Sequence, residues 1–444
     1  MKHPSDDQLA AYEAGNGDCT DDPIGMHLRV CADCAAIVDF QHGLRHADVW
    51  DLVAILEREP ELPQIAAMKV QVSDEDAAAE SLLAPVLKNT LRFVYADITN
   101  KDQFYNGGVV RRLCATAMEM LERQPLHALE FAVAAATIAD ALPDDYYPSR
   151  AVFGLRGRAW KARANALRYL NRYGEALAAL DEAERRFKEI TINELEIATV
   201  RYVRASVLAS GHRFTEALVE VRGAADVFRS YENEQREVDA KMLEGTIHYF
   251  SENYGEARAI FETILAYANV RENRLLEARA RHNLALAAIG EEDFKSARTG
   301  LVQAQECYAE LGLHTEHLRV TWALGRIERE EGNTARAKAD FEKARQGFEQ
   351  LSMLVDAALV ELDYIGLLLG DHNVRDIRAR SERLVRVFKA AGMYTSALTA
   401  VSYLNDVAHS PSGVTAWLLG RIRAFLMELQ RDPQLLFVPP AMST

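Results

Sequence analysis

The sequence predicts an all-α protein: a small helical module at the front, followed by a long solenoid of antiparallel helix pairs. Three observations predict it. Ala, Leu, Glu and Arg dominate the 444 residues, whereas Gly and Pro number only 24 and 12, which favours helix. A pattern recurs through the middle of the chain at a nearly constant step, the mark of stacked helical units. Near the start, "MHLRVCADC" sets His27, Cys31 and Cys34 at steps of four and three, and in a helix those steps bring all three side chains to one face.

Ser5 to Gln8 reads S-x-x-Q, a capping box, so a short helix is expected from there to Gly15. Asp22 as N-cap and Pro23 at the first helical position start a second helix, running to about Phe40. His27, Cys31 and Cys34 sit on that helix. Three such ligands are most of a tetrahedral structural zinc site. The fourth is His3, ahead of the first helix, or Cys19, in the loop between the two. Residues 1–46 carry eight acids (Asp6, Asp7, Glu13, Asp18, Asp21, Asp22, Asp33, Asp39) against Lys2, Arg29 and Arg45, a balance of −5.

These residues, "HPSDDQLAAYEAG…MHLRVCADC", resemble the zinc-binding anti-sigma-factor domain over about the first 45 positions. The resemblance implies a Cys2His2 zinc site of His3, His27, Cys31 and Cys34, with Cys19 a spare thiol beside it. It also implies a sigma-factor partner, gripped through residues 1–60, with "HADVWDLVAILE" (46–57) as the wedging helix. An acidic module suits a partner whose surface normally meets DNA.

The repeat begins further on. "NRYGEAL" (171–177), "HRFTEAL" (212–218), "ENYGEAR" (252–258), "EDFKSAR" (292–298) and "GNTARAK" (332–338) line up, with alanines at 176, 217, 257, 297 and 337, hence intervals of 41, 40, 40 and 40. Each unit has a small residue in its first helix (Ala164, Ala205, Gly245, Ala285, Gly325) and a large apolar residue in its second (Leu180, Val221, Phe261, Leu301, Phe341). Small residues let the paired helices approach. The pattern resembles tetratricopeptide repeats, lengthened to about 40 residues, and the resemblance implies a right-handed superhelix. A more divergent unit precedes these at 107–142. Cys114 and Cys307 read as core residues among apolar neighbours.

The chain then divides into a zinc module (1–46), a helical linker or hinge (47–106), the repeat array (107–410) and a C-terminal capping helix with its tail (411–444). Within the linker, "SDEDAAAESLLAPVLKN" reads as one helix capped at Ser73. First helices should line the concave face of such an array. Aligning the units places Arg158, Lys161, Asn165, Arg168, Tyr202, Ser206, Met242, Thr246, Arg279, His282, Arg319, Trp322 and Arg326 there. Bases are the largest group, so an acidic peptide or a C-terminal carboxylate is the expected occupant. The competing reading pairs these bases with acids on neighbouring helices.

Several classes are disfavoured. A net charge of −15 argues against nucleic acid and anionic membrane. No stretch approaches the roughly 18 apolar residues of a membrane helix, and "MKHPSDDQLAAYEAG" has no apolar signal core, so a cytoplasmic location is expected. No G-x-x-x-x-G-K-S/T, H-E-x-x-H, G-x-S-x-G or G-x-G-x-x-G occurs, and a closed zinc site leaves no position for a reacting water. An enzyme is not expected. The leading expectation is a regulatory adaptor that binds a sigma factor through its zinc module and a second protein through its repeats. The alternative is a repeat-based assembly scaffold whose zinc module serves folding only.

Overall fold

Helices of 17 residues joined by three-residue turns build the chain from Glu194 to Gly370. The computed structural model describes residues 63–88, 98–122, 124–147, 151–170, 172–189, 194–351 and 353–370, with Ala379, Arg380 and Leu384. The zinc set (His3, His27, Cys31, Cys34 and Cys19), the sigma-binding segment and the C-terminal cap lie outside the described residues. The described helices are α1 (Pro63–Lys88), α2 (Gly107–Met120), α3 (Pro125–Ala141), α4 (Ala151–Tyr169), α5 (Tyr173–Lys188), α6 (Glu194–Ser210) and α7 (Phe214–Ser230). There follow α8 (Glu234–Phe250), α9 (Tyr254–Val270), α10 (Arg274–Gly290), α11 (Phe294–Glu310), α12 (His314–Glu330), α13 (Thr334–Gln350) and α14 (Leu354–Gly370). Consecutive helices from α2 to α14 pack on one another, as a helical repeat solenoid requires.

The turns explain the even spacing. From 211 to 333 the middle residue of each turn takes the left-handed conformation: His212 (φ 57°), Glu232 (54°), Glu252 (62°), Glu272 (54°), Glu292 (62°), Gly312 (67°) and Gly332 (80°). The N–H of the third turn residue then reaches back to a carbonyl five positions earlier, as in Asn233 to Phe228 at 2.9 Å and Asp293 to Ala288 at 2.8 Å. This satisfies an orphan carbonyl at the helix end. The side chains of Asn233, Asn273 and Asp293 accept from N–H groups three residues ahead, at 3.2, 3.0 and 3.1 Å. At those turns one residue closes a helix and caps the next. A left-handed residue with a Cβ is strained by about 1–2 kcal/mol. Glu292→Gly, at an exposed turn, is therefore expected to raise stability by about 0.5–1 kcal/mol after the entropy of the freer glycine chain is subtracted. Urea denaturation of the two proteins checks this.

The core is a string of clusters, one per helix pair. The shared alanines Ala176, Ala217, Ala257, Ala297 and Ala337 are all fully buried, because a larger side chain there would hold the paired helices apart. The small residue of the first helix matches the large residue of the second. Ala164, Ala205 and Ala285 share clusters with Leu180, Val221 and Leu301 respectively. Where the small residue is glycine, the partner is a phenylalanine ring: Phe261 lies against Gly245 and Phe341 against Gly325.

Helix α1 begins ten residues ahead of the expected cap at Ser73 and runs through it. Its buried residues Met68, Val72, Ala79 and Leu83 return at steps of four, seven and four, and they enter the core of the first repeat. That apolar stripe outweighs the local capping preference of Ser73. Glu75 fixes the contact. It accepts from Tyr146 Oη at 2.9 Å, from Tyr147 Oη, and from Arg111 at 3.2 Å. The backbone of α1 at Glu75 approaches Gly108 so closely that a Cβ there would collide with it.

Candidate functional site

Successive first helices (α2, α4, α6, α8, α10, α12, α14) pack on one another from repeat to repeat, and the second helices do not to a comparable extent among the described residues. The row with the closer spacing lies on the shorter arc, so the first helices form the concave face. The expected inward residues lie on this row, yet they fall into two groups.

The first group is held by buried acids. Glu196, only 2% exposed, accepts from Arg158 at 2.6 Å and from Lys161 at 3.0 Å. Lys161 also donates to Thr199 at 2.6 Å. Burial alone would push the Glu196 carboxyl up. The Lys161 and Arg158 charges and their hydrogen bonds outweigh it and hold the group down at about 2. Asp363, likewise buried, accepts from Trp322 Nε1 at 2.7 Å and from Arg326 at 2.8 Å, and Arg326 stacks over the Trp322 ring at 4.4 Å. Arg158, Lys161 and Arg326 are thus paired with acids of neighbouring helices.

The second group faces the channel with polar capacity to spare. Arg168 donates to the amide oxygen of Asn165 at 3.0 Å and stacks on Tyr169 at 4.3 Å. Asn165 in turn reaches Met118, an exposed residue of α2, at 3.5 Å. Tyr202 is half-buried between the charges of Asp239, Arg168 and Arg279; burial and then Asp239 push its phenol up. Ser206 and Thr246 satisfy themselves on carbonyls of their own helices, at Tyr202 (3.2 Å) and Met242 (2.9 Å). Met242 accepts from Asn283 at 3.0 Å. His282 lies edge-on to Tyr308 at 6.1 Å, and burial, aided by Arg319, pushes its imidazole down to about 4, so it is neutral at neutral pH. Arg279 is exposed. Arg319 lies 3.6 Å from Glu122, in the turn between the two helices of the first repeat.

That last contact spans 319 − 122 = 197 positions, so the array coils far enough for its first repeat (α2–α3) to meet α12, in the sixth. Two solved structures share this fold. A Rap protein complexed with Competence and Sporulation Factor matches at a TM-score of 0.56 and 14% identity, over 82% of this chain and 99% of that one. NprR in complex with its cognate peptide NprX matches at 0.51 and 14%, over the same 82% and 99%. At these identities the likeness is one of fold. The chain's sequence matches no family model, and no curated protein matches it.

Sequence reasoning missed the two organising acids and Glu122. Asp363 had a signal: it is an acid at a register where the preceding repeats carry Val203, Leu243, Asn283 and Ala323. Glu122 had none, since a contact over that separation is set by the pitch of the coil. Cys307 is buried and Cys114 half-buried; burial pushes the Cys114 thiol up to about 12, far from reactive thiolate character. Among the described residues no group of three or more His, Cys, Asp or Glu is placed to hold a metal ion. None of the described helices is long and apolar enough to cross a membrane.

Proposed function

We propose that the chain is a regulator that acts by binding, and that its concave row of first helices receives a short peptide or an extended segment of a partner protein. The observation that carries this reading is the second group of inward residues. Arg168, Tyr202, Arg279, His282 and Arg319 line the coil from α4 to α12 with hydrogen-bonding capacity that the fold itself leaves unused. Arginine forks with a tyrosine hydroxyl and an imidazole among them suit a peptide, which brings carbonyls and carboxylates in an extended array. The two structural neighbours, each solved with a peptide or factor bound, support the same reading. Immobilised full-length protein, exposed to a pool of short random peptides, should retain a defined subset identified by mass spectrometry. Retention of none sinks the reading.

The N-terminal cluster supports a second, additional reading. Two thiolates and two imidazoles are the donor set of a structural zinc site, and His3, His27, Cys31 and Cys34 supply it, with Cys19 the alternative to His3. The ion there would fix the small module, which the −5 balance of residues 1–46 suits to a basic partner such as a sigma factor. A single zinc per chain is expected in freshly reduced protein by metal analysis, and Cys31→Ser or Cys34→Ser should abolish it. Co-purification of a sigma factor with wild-type protein, lost in those two variants, would extend the reading to transcription.

A further inference from the structure

The face that α2 turns toward α4 carries two sulfur atoms. Cys114 and Met118 are four residues apart and share one side of the helix. Met118 is 52% exposed, unusual for so large an apolar side chain in this array. The other described methionines are covered: Met68 and Met353 are buried, and Met120 and Met242 are half-buried.

A polar relay ends on the Met118 sulfur. Arg168 Nε donates to Oδ1 of Asn165 at 3.0 Å. That bond fixes the orientation of the amide, because the reverse would set Nδ2 against the guanidinium. Nδ2 is thereby turned toward Met118 Sδ, at 3.5 Å. A thioether is a weak acceptor, so a good donor is aimed at a poor partner. Met242 has a comparable donor in Asn283, at 3.0 Å, but it is half-buried. Cys114 does not compete as a reactive sulfur, since burial pushes its thiol up to about 12 and the thiolate is the reactive form. A thioether has no proton to lose, and its lone pair is available at neutral pH.

We propose that Met118 is an oxidation site of the concave row and that its conversion to the sulfoxide weakens peptide capture. The oxidant is a peroxide. The sulfur lone pair attacks one peroxide oxygen, the S–O bond forms as the O–O bond breaks, and the second oxygen leaves as water with the proton of the first. Sulfur loses two electrons and the peroxide gains them. The new oxygen is a strong acceptor for Asn165 Nδ2, so it ties Asn165, and Arg168 behind it, more firmly in place. It also turns an apolar side chain at the channel into a polar one, and reduction of the sulfoxide reverses the change. The effect on capture rests on the peptide-binding reading above; the oxidation site does not.

Two measurements on full-length protein test this. After brief exposure to dilute hydrogen peroxide, peptide mapping by mass spectrometry should show oxygen on Met118 well ahead of Met242, with Met68 and Met353 unmodified. Oxidation of those three as fast as Met118 overturns the site. With the peroxide removed, capture from a pool of short random peptides should fall by about four-fold or more, the factor for roughly one buried methylene group. Methionine sulfoxide reductase should restore it, and Met118→Leu should capture equally before and after peroxide. A fall that persists in Met118→Leu, or no fall in the wild type, overturns the coupling while peptide binding stands. If neither form captures anything, the coupling falls with the peptide-binding reading, and the oxidation map alone decides the site.

Discussion

Glu196→Ala is expected to destabilise the protein by about 3–5 kcal/mol, the cost of removing one partner from a buried ionic cluster. The carboxylate is almost fully buried and serves Arg158, Lys161 and Thr199 at once. Without it, two cations on α4 face each other at side-chain exposures of only 16% and 19%. Neither reaches water easily. Guanidinium denaturation followed by circular dichroism measures the loss. The effect has a defined pH dependence. The Glu196 carboxyl is held at about 2 in the fold, against 4.5 for the free group. A depressed acid contributes stability that is fully present above 4.5 and disappears as the pH falls toward 2. The difference between wild type and variant should therefore shrink across that window. A constant difference from neutral pH down to 2 would show that packing, not charge, is responsible.

Gly245→Ala is expected to cost up to about 2 kcal/mol despite adding the best helix former to the middle of α8. The added Cβ would lie 2.5 Å from a ring carbon of Phe261, and the buried ring can yield only by shifting α9. Overpacking of this kind costs about 1–3 kcal/mol, which outweighs the roughly 1 kcal/mol gained by removing glycine from a helix. The neighbouring repeat carries the solution, Ala285 with Leu301. Phe261→Leu alone leaves a void and should cost about 1–2 kcal/mol. The double variant Gly245→Ala/Phe261→Leu should be more stable than the sum of the two losses by about 1–3 kcal/mol. Additive effects in that cycle would mean that the two positions do not pack as a matched pair.

Much of this was legible because the repeat writes the same physical problem five times. The alanines at 176, 217, 257, 297 and 337 must be small wherever two helices cross closely, and their constant step gives the period. The matching of Gly245 with Phe261 and of Ala285 with Leu301 is also written in the sequence, as a size exchange between two positions sixteen residues apart. Other features were illegible for identifiable reasons. Ser73 carries a strong capping signal, but α1 runs through it because its apolar stripe has a core to enter. Glu232, Glu252, Glu272 and Glu292 do not advertise a left-handed turn as Gly312 and Gly332 do. The turn geometry is imposed there by helices of fixed length on either side, at some cost in strain.

The inward arginines show where the boundary lies. Sequence alone determined the helix pairs and their period, because helical periodicity is local and repeats itself. It did not determine which of those bases are free. Arg158 and Arg279 share a register, yet Arg158 is bound by a buried carboxylate from the first helix of the next repeat and Arg279 is exposed. Only tertiary structure decides that, because the net charge of a groove depends on which acids the packing of neighbouring helices brings within a few ångströms. The meeting of Glu122 with Arg319 depends on more still, the accumulated rotation of every repeat between them.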